Sequence, residues 1–117
     1  MKQQNEFLEH LSEVFHLFGP IRSRRMFGGH GVYHQDLMIG LVADNVLYLK
    51  TDAQSMARFA EVGSVPFEYT KNGVVMTMSY ASAPAEIFDD PQIARAWAML
   101  AHEAALRARA KVGQRAK

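Results

Sequence analysis

The side chains best suited to chemistry crowd into one short stretch. Arg22, Arg24 and Arg25 bring three cations into four positions, and Gly28, Gly29, Gly31 and Tyr33 follow closely. A guanidinium fork fits a carboxylate or a phosphate. Glycine lets a ligand or a second backbone approach closely. In an extended chain Arg22 and Arg24 share one face and Arg25 takes the other. The chemistry this pattern suits is non-covalent: capture of a small anion, or of a partner's carboxylates. The structural alternative is a tight strand entry or bulge, with the arginines paired to acids of the first or third helix. The stretch is not a phosphate loop, since neither GxGxxG nor GxxxxGK[ST] occurs.

Other chemistries find less support. The chain has no cysteine, and none of its serines carries a nucleophile-elbow signature. Its carboxylates sit mostly at helix starts and turns, where capping accounts for them. No catalytic residue is expected, and the protein reads as non-enzymatic. On an extended strand His30 and His34 stand more than about 10 Å apart, too far to share a zinc ion. No metal and no cofactor is expected. The basic residues form two clusters, the arginines above and a tail of Arg107, Arg109, Lys111, Arg115 and Lys117. There is no helix-turn-helix or RNP-type signature, and the net charge is only +1. Nucleic-acid contact is therefore expected to be weak, non-specific and confined to the tail. A protein partner is expected, and a homodimer is open.

These residues need a scaffold. With 117 residues, one domain over 1–117 is the expectation, its basic tail fraying from about 111. No apolar run reaches the length of a membrane span, and the polar start of the chain lacks the core of a secretory signal. A cytoplasmic location is expected. Phe7, Leu8, Leu11, Val14, Phe15 and Phe18 recur at helical spacing, and Gly19-Pro20 ends that helix. Three strands follow at 31–34, 37–42 and 46–50, joined by Gln35-Asp36 and Asp44-Asn45 turns. Thr51 and Gln54 have the form of a capping box, opening a short helix with Met56, Phe59 and Ala60 facing inward. Strands at 67–70 and 74–80 flank Asn72-Gly73, a strong hairpin signal. In the last strand Met76 and Met78 read as core fillers. A loop over 81–88 leads to Asp90 as N-cap, Pro91 at the first helical position, and a helix whose buried stripe is Ile93, Trp97, Leu100 and Ala104. The fold class is α+β, in two layers, with a five-stranded antiparallel sheet and the order α-β-β-β-α-β-β-α.

The stretch Arg25-Met26-Phe27-Gly28-Gly29-His30-Gly31-Val32-Tyr33 also resembles the opening signature of the TfoX/Sxy N-terminal domain. Leu47-Tyr48-Leu49-Lys50, Pro66-Phe67 with Tyr69, Met78-Ser79-Tyr80 with Pro84, and Asp89-Asp90-Pro91 before a tryptophan-bearing helix follow in the family's order. The resemblance implies a secretion-chaperone-like arrangement. It also implies a regulator of competence genes that works beside a transcription activator, and hence a partner in the transcription machinery. Members with two domains add a helical C-terminal domain, so this chain reads as a stand-alone N-terminal domain. Binding residues expected from the signature and the strands are Arg24, Arg25, Gly28, Gly29, Tyr33, Lys50 and Tyr80. The other reading is a small-ligand or anion site built from Arg25, Gly28, Gly29 and Tyr33, with Lys50 and Tyr80.

Overall fold

The computed structural model describes residues 2–26 and 29–116. Its elements run α1 (Lys2–Val14), β1 (Arg22–Met26), β2 (Gly29–His34), β3 (Leu37–Ala43), β4 (Val46–Lys50), α2 (Met56–Glu61), β5 (Pro66–Lys71), β6 (Val74–Ser82) and α3 (Pro91–Ala116). The sheet has six strands in the order β1-β2-β3-β4-β6-β5, with every neighbouring pair antiparallel. The expected α+β class holds, but the count of five strands does not. The added strand is β1, which pairs with β2 from Arg22 opposite Tyr33 to Met26 opposite Gly29. Hydrophobic periodicity is silent there because β1 is an exposed edge, four of whose five residues are polar.

Three tight hairpins set the register. Gln35 and Asp36, Asp44 and Asn45, and Asn72 and Gly73 all have positive φ at both central positions, the type I′ geometry that matches strand twist. The helices cover one face of the sheet. Leu11, Val14 and Phe15 of α1 and Phe59 of α2 meet Val32, Ile39, Val42, Leu47, Leu49 and Ala81 of the strands. From α3 the buried residues are all alanines, Ala94, Ala98, Ala101, Ala104 and Ala105. This corrects the expected stripe: of its members only Ala104 is buried, while Ile93 and Trp97 flank the alanines half-buried. Small side chains let the helix axis approach the strands, and Trp97 meets the Phe59 ring edge-on at 4.9 Å.

Other local readings are revised. Thr51 is not an N-cap: its N–H donates to the Ser79 carbonyl, in sheet fashion. Asp52 instead closes the turn before α2, its carboxylate accepting from the N–H groups of Gln54 and Ser55, and the N-cap position is Ser55, without a side-chain cap. α2 is correspondingly short, and only Phe59 faces inward; Met56 and Ala60 are exposed. β6 runs on to Ser82, and Ala85–Phe88 forms a 3₁₀ turn that buries Ile87. Asp90 does cap α3, accepting from the Gln92 N–H at 2.9 Å.

Candidate ligand face of the sheet

Strand alternation divides the signature residues between two faces. Leu47 and Leu49 point into the helix layer, so Tyr48 and Lys50 point away from it. Pairing extends that uncovered face across the sheet. Leu41 lies opposite Tyr48, Gly31 opposite Leu41, Arg24 opposite Gly31, and Tyr80 opposite Lys50. Met26, Tyr33 and Met38 belong to the same face. A Cβ on Gly31 would press against the Met26 sulfur at 2.8 Å, the Tyr33 ring at 3.0 Å and Met38 at 3.4 Å. Gly31 is thus the floor of an apolar dip roofed by those three side chains.

Lys50 and Tyr80 form the best-defined pair on this face. The Lys50 ammonium lies 5.1 Å from the centre of the Tyr80 ring, a cation–π arrangement. Burial pulls the Lys50 pKa down, partly offset by the Asp52 carboxylate. Among the described residues no carboxylate lies within ion-pair distance of Lys50. Burial also pushes the Tyr80 phenol up to about 12, and Tyr33 adds to that shift. A half-buried lysine without an ion-pair partner among the described residues, beside the raised Tyr80 phenol, suits an anion more than proton transfer at neutral pH.

The remaining expected residues divide. Arg24 is on this face and exposed, whereas Arg25 pairs opposite His30 and turns toward the helix side. Arg25 and Lys50 therefore do not converge on one ligand. Gly28 lies outside the described residues. Gly29 has no positive φ, but a Cβ there would overlap the Val42 carbonyl oxygen; its role is close backbone approach. Arg22 pairs with Asp36 at 2.7 Å, not with an acid of the first or third helix as expected. Both partners are exposed, so the pair contributes little.

Three features went unread in the sequence. The first is an aromatic row on the same face: Tyr48 meets Phe67 edge-on at 4.9 Å, and Phe67 stacks near Tyr69 at 6.3 Å. Its signal was available, since Tyr48 stands two residues before Lys50 and must share its face. The second is the pairing of Arg107 with Asp52, Nε to Oδ2 at 2.5 Å and Nη2 to Oδ1 at 3.0 Å. The Arg107 hydrogen bonds hold the Asp52 carboxyl at about 2. The third lies under the helices. His34 Nδ1–H donates to the Pro20 carbonyl at 2.7 Å, and its ring packs against Phe18 and, edge-on, His102. Neither of the last two carries a sequence signal, because each joins distant segments.

Comparison with known proteins supplies the context. The profile of the TfoX N-terminal domain matches residues 13–105. The DNA transformation protein TfoX1 of Aliivibrio fischeri is 36% identical over 77 residues. That match covers 62% of this chain and 37% of the relative's length. No helix among the described residues is long and apolar enough to cross a membrane.

Proposed function

Because this chain belongs to the TfoX N-terminal domain family, we propose that it is a non-enzymatic, competence-related regulator that works by holding a protein partner of the transcription machinery. One observation carries the protein-contact part: the β5–β6 hairpin exposes Tyr69, Val74, Val75 and Met76 together. These lie on both faces of the hairpin, since Tyr69 pairs with Met76 and Thr70 with Val75. Clustered exposed apolar side chains of this kind mark interaction surfaces. The name of the Aliivibrio fischeri relative supports the link to DNA transformation. The test is complementation of a strain lacking its own copy, using Val75→Glu with Met76→Lys. Transformation frequency and competence-gene transcripts should fall with the melting temperature unchanged. Full complementation by that variant would sink the reading.

A second reading has its own support, the half-buried Lys50 ammonium without a paired carboxylate among the described residues. In it the uncovered face holds a small anion, with Lys50 as the charge and Tyr80 as its wall. Titration with inorganic phosphate, followed by the amide resonances of residues 48–50 and 80–82, checks it; no shift at millimolar phosphate would remove it.

A further inference from the structure

We propose that the uncovered face of the sheet is a platform for single-stranded nucleic acid, with Lys50 and Arg24 meeting phosphates and Tyr48, Phe67 and Tyr69 meeting bases. This rests on the anion reading of Lys50 and enlarges it from a point to a track. The rings come first. Tyr48 and Phe67 stand 4.9 Å apart, and the Phe67 and Tyr69 planes lie within 22° of each other. Tyr69 is 40% exposed, so the row meets solvent where no helix covers it. Unpaired bases stack on such rings whatever their identity, because every base has a π-face.

Charge comes second. The whole chain is nearly neutral, but this face is not. Arg24 and Lys50 are on it, and Lys71 joins them two residues beyond Tyr69. Glu68 alternates to the opposite face, where it pairs with Thr77. Asp36 lies at the margin and is already held by Arg22, and Asp52, the carboxylate whose charge reaches Lys50, is held by Arg107. The local surface therefore complements a polyanion, and the aromatic row lies between its cations. From β1 to β4 is three strand spacings and from β4 to β5 two more, so the track is roughly 24 Å long. That suits a strand of several nucleotides. A duplex hides its base faces and would use only the charges; an acidic peptide would leave the rings idle.

The test is fluorescence anisotropy on the full chain with a labelled oligothymidylate of about 12 nucleotides, within the site sizes usual for such surfaces. It should bind more tightly than the matching duplex at about 50 mM salt, with affinity falling as salt rises. Lys50→Gln should reduce the salt slope by about 0.7, one phosphate contact. Phe67→Ala should weaken binding by about 5- to 100-fold, the range for losing one stacked base. Tyr69→Leu, at an exposed position, repeats that test should Phe67→Ala fail to fold. Arg109→Ala with Lys111→Ala, off this face, should leave the single-strand preference intact. Equal or tighter duplex binding would overturn the proposal, as would loss of binding in the tail variant alone. Equal binding by a polyglutamate peptide would also overturn it, since that partner brings charge without bases. Phosphate shifts at Lys50 without oligonucleotide binding would leave the small-anion reading standing and remove this one. Silence from both ligands would remove both.

Discussion

The β3–β4 and β5–β6 hairpins are built from the same parts and come to opposite ends. Each turns through two residues of positive φ, and each carries β-branched and apolar side chains on its strands. In β3–β4 the helix-facing side chains are sealed, with Leu49 at 1% exposure and Val42 at 0%. In β5–β6 Val74 and Val75 remain 57% and 61% exposed, one on each face. The difference is what lies beneath. α3 packs over β3 and β4, whereas β6 joins β4 only from Tyr80 to Ser82. Apolar alternation thus specifies a strand, and the neighbouring layer decides whether that strand is core or surface.

The largest test of this contrast is Leu49→Ala, which should cost about 2–5 kcal/mol in urea unfolding, the range for a buried leucine. Gly29→Ala comes next. Its Cβ meets the Val42 carbonyl, so backbone must shift, at about 1–3 kcal/mol; a loss near zero would show that β2 and β3 can part freely. Asp52→Asn removes a charged partner from Arg107 and should lower the melting temperature by less than Gly29→Ala, because solvent screens the pair.

Acid sharpens the same point. The Asp52 carboxyl sits at about 2 in the fold against 3.8 when free. Its contribution is whole above about pH 4 and is lost as pH falls toward 2. His102 acts earlier. Burial, then His34 and Arg109, lower its pKa below 6.5, opposed by Glu103. The unfolded chain therefore takes up that proton first, and stability should begin to fall as pH drops through 6.5. Thermal melts across pH, with Asp52→Asn flattening the lower limb and His102→Gln the upper, check both. The smallest effect belongs to the exposed hairpin: Val75→Thr should stay within about 0.5 kcal/mol. A loss comparable to Leu49→Ala would mean that β5–β6 is covered in solution, and the contrast would fail.

Much of the frame was legible. Turn dipeptides located three hairpins, and helical spacing located α1 and the Asp90-Pro91 start of α3. β1 escaped because backbone pairing alone, without an apolar pattern, makes Arg22–Met26 a strand. Met76 was misread as core filling because alternation reports a shared face without saying what covers it. At the candidate site, Lys50 and Tyr80 are legible from the sequence, but their direct opposition depends on the β4–β6 register between strands distant in sequence. Arg25 was grouped with them because adjacency in sequence conceals a change of face. The Asp52–Arg107 pair could not be read at all, since its partners are 55 residues apart.

That pair also bears on how the domain breathes. By joining the start of the α2 connection to the last helix, it closes, through a non-covalent ion pair, a loop of chain that contains all of β5 and β6. Outside that loop, β1 to β4 form a ladder of their own. The outer part of the β5–β6 ribbon, beyond the three residue pairs that hold β6 to β4, can open while the loop's neck stays fastened. Amide hydrogens of residues 68–77 should then exchange by local opening, faster than those of β3 and β4, which await loss of the whole fold. The segment best placed to meet a partner would be the one whose release leaves the rest of the protein folded.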